Sequence, residues 1–312
     1  MKLKKLLVGT IALAMTQISV ASQSSGGIAS DRASYNIETG KLHIPYLVVD
    51  ETKSEFSSDL LFVGSDLDGK MLFTIDIDSD LHEIHAPHFA YDGDSGPSHW
   101  GELTTDYKLC SLGKSQSPID LNGESIEHSV NDIEFHYTDS ALNILNNGHT
   151  IQVNYDVGSN IVLNNKEYKL LQFHFHTPSE HTIDGVSFPM EMHLVHQSED
   201  GALAVVGVMI EEGADNLAYS NIIDNIPATE AEVETIDSEN VDVSSLLPIS
   251  RKEYRYSGSL TTPPCSEGVQ WLVLQDSIQM STAQLAHFET VLHHNNRPIQ
   301  SKNARNIIQN IN

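Results

Sequence analysis

The run Gln172-Phe173-His174-Phe175-His176 sets bulky aromatics against imidazoles at a period of two. That period belongs to a β-strand, whose successive side chains point to opposite faces. His174 and His176 therefore share one face, and Phe173 and Phe175 point the other way, into a core. Glu191-Met192-His193-Leu194-Val195-His196 reads as a second strand of the same kind. Between the two lie Pro178 and Asp184-Gly185, enough for a long hairpin connection. His193 can then stand beside His174 and His176 on the neighbouring strand. Three neutral imidazoles converging from two strands suit a catalytic zinc with an open fourth position. On spacing alone, ordinary hydrogen-bonded core histidines remain the alternative. His196, three residues after His193, falls on the opposite face and reads as structural rather than as a fourth ligand.

From His85 onward the chain reads as many short strands. Asn147-Gly148 and Asp184-Gly185 punctuate them as turns. Ile151 to Tyr155 alternates, and Ala202 to Ile210 is a nearly continuous apolar run, as in a buried strand. Thr282 to His293 carries the clearest helix pattern, and no internal repeat is found.

Residues 23–84 are acidic and lack Cys and Trp. Tyr35-Asn36-Ile37 and Leu42-His43-Ile44 flank a turn at Gly40. Leu60 to Val63 and Met71 to Ile77 flank Asp68-Gly69. The region reads as a small β-hairpin module appended to the main domain. Asp66-x-Asp68-Gly69 lacks the full calcium-loop pattern and reads as a plain turn. His82, His85 and His88 recur every three residues without a helix signal and read as a solvated linker. Ahead of the module stand Lys2, Lys4 and Lys5, then apolar Leu6 to Ala14, then small residues around Val20, Ala21 and Ser22. This is the three-part pattern of a cleaved export signal. The expected organisation is a signal at 1–22, an extension at 23–84 and a main domain at 85–312.

With 17 Lys+Arg against 43 Asp+Glu, the formal charge is −26. So negative a chain repels phosphate, and no basic stripe is visible, which excludes nucleic acid as the expected partner. The leader run is too short to span a bilayer, no later stretch reads as transmembrane, and no Cys near the cleavage region invites a lipid. The expectation is an exported protein without a membrane anchor, periplasmic or extracellular. That compartment permits Cys110 and Cys265 to pair, two separate buried thiols being the alternative.

Taken in order, the motifs resemble the α-class carbonic anhydrases of the bacterial, secreted type, over roughly residues 85–310. They are Tyr91-Asp92-Gly93-Asp94-Ser95-Gly96-Pro97-Ser98-His99-Trp100-Gly101, Gln116-Ser117-Pro118-Ile119-Asp120, Leu145-Asn146-Asn147-Gly148-His149-Thr150, Gln172 to His176, Ser179-Glu180-His181-Thr182, Glu191 to His196, Ser259-Leu260-Thr261-Thr262-Pro263-Pro264 and Asn295-Asn296-Arg297-Pro298. The resemblance implies a mainly β fold: a large, twisted, mostly antiparallel central sheet with short peripheral helices. It implies reversible, zinc-dependent hydration of carbon dioxide to bicarbonate and a proton.

By the same resemblance, His174, His176 and His193 hold zinc. Gln172, Glu191 and the backbone of Asn295 orient the ligand imidazoles. Thr261 accepts a hydrogen bond from the zinc-bound hydroxide and donates one to Glu180. His149 shuttles the proton to buffer, through a water network that includes Tyr91. Val195, Val205, Leu260, Thr262 and Trp271 line the carbon dioxide pocket. Cys110 and Cys265 stand where secreted members form a disulfide. Bacterial relatives are often dimers, which makes a homodimer the quaternary expectation. Three His ligands also suit cobalt or iron. Two rivals are weighed. A non-catalytic binding module is expected to have lost a ligand or the Thr–Glu pair, and this chain keeps them. A dedicated esterase is argued against by the narrow apolar pocket. Phe89 and Asn296 depart from the family pattern, which commonly has Trp at both places.

Overall fold

The computed structural model describes residues 34–36, 41–48, 55–65, 71–75, 88–122, 126–128, 133–230 and 233–311. The export signal at 1–22, the Asp66-x-Asp68-Gly69 turn, and His82 and His85 lie outside the described residues. The chain forms two compact units, Met1–His88 and Phe89–Asn312.

In the first unit, Ser34–Asn36, Lys41–Val48, Glu55–Ser65 and Met71–Ile75 pair in sequence order as an antiparallel meander. Pro45 lies where the register shifts between Ile44 and Leu47. A break in the ladder tolerates a residue that has no N–H to donate.

The second unit is built on a sheet of 13 described strands. Its path runs Glu234–Val241, Ser140–Asn146, Ile151–Asn154, Lys166–His176, Met190–Gln197, Leu203–Glu212, Glu267–Leu274, Glu253–Ser259, Ile308–Asn310, Ile126–His128. Most neighbours are antiparallel. Leu203–Glu212 runs parallel to Glu267–Leu274 and to Ile278–Met280, and Ile308–Asn310 runs parallel to Ile126–His128. The helices are short, the longest being Thr282–Leu292 with Ser281 and Gln284 closing a capping box.

The sheet's two faces bury different things, as period two requires. Phe173, Phe175, Met192, Leu194, Val206, Val208 and Leu272 join one apolar cluster, against which Phe288 of the longest helix also packs. Val205, Met209, Trp271, Val273 and Tyr256 join a second cluster on the other face. The histidines of Lys166–His176 sit on that second face.

His196 lies on the first face and is fully buried. Its Nδ1 donates to the Leu194 carbonyl at 3.0 Å, and Nε2 accepts from the Tyr137 hydroxyl at 2.9 Å. Burial pushes this imidazole down to about 4. A folded-state value below the unfolded one means the folded chain binds fewer protons, so this stability is whole above about pH 6.5 and is lost as pH falls towards 4. The effect amounts to about 3 kcal/mol. In urea titrations between pH 7 and pH 4, His196→Gln is therefore expected to lose less stability than the parent. Equal losses in the two proteins would remove His196 as the cause.

Candidate metal centre

Register brings the three histidines together. His174 pairs directly with His193 across the antiparallel ladder, and His176 pairs with Glu191. Ring centroids stand 5.0 Å apart for His174 and His176, 5.3 Å for His174 and His193, and 4.6 Å for His176 and His193. One nitrogen from each lies within 4.8 Å of the others. His176 and His193 are buried, and His174 is partly exposed. Gly207 pairs with His193 from the following strand. A Cβ there would come within 3.1 Å of Glu191 Oε1 and would press on the carboxylate that holds His193.

Each imidazole gives its other nitrogen to a fixed acceptor. His174 Nδ1 donates to Gln172 Oε1 at 2.8 Å, His176 Nδ1 to the Asn295 carbonyl at 2.7 Å, and His193 Nε2 to Glu191 Oε1 at 2.9 Å. The lone pairs left over belong to His174 Nε2, His176 Nε2 and His193 Nδ1. His176 Nε2 is buried with no hydrogen-bond partner. A buried nitrogen left in this way costs free energy unless something takes its lone pair. Burial holds His174 well below the usual imidazole range, helped by the two neighbouring rings, and it lowers His176 as well. Both are thus neutral near pH 7, as ligands must be. Burial also acts to lower His193, but Glu191 and Glu180 outweigh it and raise the value. Protons and a cation therefore compete at that ring.

Glu191 is the anchor behind the centre. Its Oε2 accepts the backbone N–H groups of Glu180 at 2.9 Å and His181 at 2.8 Å. Its Oε1 accepts His181 Nδ1 at 2.8 Å besides His193. Burial alone would raise its carboxyl, yet the two imidazoles hold it well below the usual range. The chain of contacts continues from His181 Nε2 to the Tyr256 hydroxyl at 2.6 Å and on to Ser117 Oγ at 2.8 Å. Ser117 Oγ accepts from the backbone N–H of Ser259, which opens the segment bearing Thr261. Sequence reasoning assigns no role to His181, Tyr256 or Ser117; His181 and Ser117 enter it only as members of the motifs Ser179 to Thr182 and Gln116 to Asp120.

Glu180 Oε1 accepts the Arg297 backbone N–H at 2.8 Å. Its Oε2 has no hydrogen-bond partner and lies 3.6 Å from His176 Nε2 and 3.9 Å from His193 Nδ1. The expected donation from Thr261 to Glu180 is thus not made in this structure. The free oxygen faces the imidazole nitrogens, where positive charge is favoured.

The other expected residues fall into two groups. Val195, Val205, Leu260 and Trp271 belong to one apolar cluster, with the Trp271 ring 4.8 Å from that of His193. Thr262 is partly exposed at the start of the turn that ends at Cys265. His149 sits in the Asn147-Gly148 turn, where Gly148 takes φ +81° and Asn147 Oδ1 accepts the N–H groups of His149 and Thr150. Its ring stacks on Phe89, with centroids 3.9 Å apart and planes 8° from parallel. Phe89 also meets Tyr91 and Trp100 edge to face. Tyr91 is pushed well above its usual range by burial and by the Glu180 charge, which keeps its hydroxyl protonated. Cys110 and Cys265 form a disulfide.

A sequence profile described as eukaryotic-type carbonic anhydrase matches residues 95–311. The chain belongs to this family. The carbonic anhydrase of Pectobacterium carotovorum is 45% identical over 222 residues, spanning 71% of this chain and 90% of its own. Among solved structures, the α-carbonic anhydrase of Thermovibrio ammonificans in complex with the inhibitor sulfanilamide is similar at a TM-score of 0.70 and 40% identity, over 72% of this chain and all of that one. A hyperthermostable carbonic anhydrase from a hydrothermal vent chimney is similar at 0.69 and 43%, with the same coverage. The mixed sheet with few short helices is the α-carbonic anhydrase fold, and the chain is an enzyme of that class. Carbonic anhydrase activity is the interconversion of carbon dioxide and bicarbonate. Among the described residues, no helix is long and apolar enough to cross a membrane. The disulfide is of the kind that persists in oxidising compartments.

Proposed function

We propose that this carbonic anhydrase is a zinc enzyme exported to the periplasm or beyond, with residues 85–312 as its catalytic domain, 23–84 as an extension and 1–22 as the export signal. The observation that carries the zinc assignment is the convergence of His174, His176 and His193, each with its second nitrogen committed to Gln172, Asn295 or Glu191. That donor set is three imidazole nitrogens, which suits a catalytic rather than a structural zinc. When bound, zinc supplies a Lewis acid that makes water acidic near neutral pH. Carbonic anhydrase is itself the usual example of this effect, so it is a family property and no deduction from this chain.

The chain's own residues supply the rest. The apolar cluster of Val195, Val205, Leu260 and Trp271, with Thr262 two residues after Leu260 along the chain, holds carbon dioxide against the His193 side of the centre and keeps bulk water out. Thr261, 6% exposed, orients the attacking oxygen, and Glu180 keeps its unpaired carboxylate oxygen facing the same centre. Attack then needs no search over orientations. His149 takes up the proton released by hydration and passes it to buffer, because an imidazole titrates near neutral pH. Tyr91 supports the water path between them. The disulfide supports the exported reading.

Stopped-flow carbon dioxide hydration before and after chelation tests the proposal. Hydration is expected to vanish with the metal and to return on adding about one equivalent of zinc. Activity that survives complete chelation, or zinc-replete protein that hydrates nothing, would overturn it.

A further inference from the structure

Asn295 makes more contacts than the one that orients His176. The residue is only 2% exposed. Nδ2 donates to the carbonyl of His149 at 2.9 Å and to that of Phe175 at 2.9 Å. Oδ1 accepts the backbone N–H of Thr177 at 2.8 Å. The main-chain N–H donates to the Thr177 carbonyl at 3.1 Å, and the main-chain carbonyl accepts His176 Nδ1. One residue thus grips the ligand strand on both sides of His176 and, through the same amide nitrogen, the backbone of His149. Thr150 reinforces the second link, because its hydroxyl donates to the Phe175 carbonyl at 2.6 Å and accepts the Phe175 N–H at 3.2 Å.

Only a primary amide meets these demands. The position needs two donors and one acceptor within a planar group, and Asn has them. A carboxylate keeps the acceptor and turns two attractions into repulsions. Alanine leaves the His149 carbonyl and the Thr177 N–H without this partner. The approach to the site is also specific. His293 and His294 take φ +24° and +46° directly after the helix Thr282–Leu292, a left-handed step that is costly for two consecutive residues with side chains. That step brings Asn295 to the end of the ligand strand.

We propose that the Asn295 side chain is a positioning residue for proton export, fixing the turn that carries His149 at a set distance from the ligand His176. This rests on the reading of His149 as the proton carrier given above. The division of labour within Asn295 follows from the bonds. Its main-chain carbonyl orients His176 and survives any substitution, whereas its side-chain amide, which ties the His149 turn to the ligand strand at Phe175 and Thr177, does not.

The test compares wild type, Asn295→Asp, Asn295→Ala and His149→Ala, each loaded with zinc and checked for metal content and thermal stability. For both Asn295 variants, kcat should fall about tenfold, as misplacement of a proton-transfer group does. kcat/KM for carbon dioxide should fall by a clearly smaller factor than kcat, because hydration itself does not use His149. Millimolar imidazole buffer should restore kcat in the Asn295 variants and in His149→Ala alike. In metal-free protein, amide exchange at His149 and Thr150 should quicken by about tenfold in Asn295→Asp, a readout independent of turnover. If kcat and kcat/KM drop together, or zinc is lost, the role is merely structural and the inference is overturned. It is overturned equally if His149→Ala shows the rescued kcat defect and neither Asn295 variant does. If His149→Ala has no kcat defect, the proton-carrier reading fails first and takes this inference with it. If wild type is inactive, the function itself is wrong.

Discussion

His176→Ala should abolish both metal retention and hydration. The ring supplies one of three lone pairs and lies buried beside the unpaired Glu180 oxygen. Removing it leaves two ligands on a cation that needs three, and it leaves the Asn295 carbonyl without its donor. After dialysis against a weak chelator, zinc content should fall from about one per chain to near zero, and kcat/KM should drop by at least ~10³-fold. Gln172→Leu makes the contrasting case. It keeps all three ligands and removes only the acceptor that orients His174. Loss of such a partner typically costs about 10- to 100-fold in metal affinity, a range for which carbonic anhydrase is itself a standard example. Excess zinc should therefore rescue Gln172→Leu and fail to rescue His176→Ala. Tight zinc binding by His176→Ala, measured by competition with a fluorescent chelator, would remove His176 from the ligand set.

Reduction of the Cys110–Cys265 disulfide is the second large effect. The bond closes a loop of 155 residues. In the chain-entropy account a loop of that size contributes about 4–5 kcal/mol. For a domain of this length that corresponds to a fall in Tm of roughly 10 °C or more. The cysteines are also wired into the surrounding polar network. The Cys265 carbonyl accepts Gln116 Nε2 at 3.0 Å, and the Cys110 carbonyl accepts Arg297 Nη2 at 2.8 Å. Arg297 in turn donates to Gln116 Oε1 and the Ser117 carbonyl, and its guanidinium lies over the Trp100 ring at 5.6 Å. Opening the disulfide therefore loosens the turn that follows Thr261 as well as the N-terminal segment around Trp100. Calorimetry of Cys110→Ser with Cys265→Ser, beside the parent with and without reductant, measures the effect. An unchanged Tm would mean that the network alone holds these segments.

How much of this was legible beforehand depended on distance along the chain. The metal face was legible because period two makes facing automatic once a strand is recognised, as at His174 and His176. The turns at Asn147-Gly148 and Asp184-Gly185 were legible because few residues take positive φ without strain, and both sites do so here. The helix at Thr282–Leu292 ends one residue short of the pattern that announced it. What pattern could not reach are contacts between residues more than a hundred positions apart. The Asn295 amide on the His149 carbonyl spans 146 residues, and Arg297 on the Cys110 carbonyl spans 187. No local periodicity encodes such a pairing. The bulge between Leu170 and Gln172 was likewise invisible, although it sets which residues of that strand face His193's strand. The stack of His149 on Phe89 depends on a backbone path that only the fold defines.

The direct pairing of His174 with His193 has a consequence for how this enzyme can change over time. The ligand geometry is inherited from the ladder between two strands and from the contacts of Glu180 and His181 with Glu191, so it is indifferent to the length of the Asp184-Gly185 turn that lies beyond them. Residues can be added or lost at that turn, and whole modules can be fused ahead of Phe89, without altering the centre. A single residue inserted inside either strand is a different event. It turns every following side chain over, sends an imidazole towards Phe175 and Leu194, and brings an aromatic ring to the place of a ligand. Variation in such a chain should therefore accumulate in steps at its loops and almost never as insertions within 172–176 or 191–195.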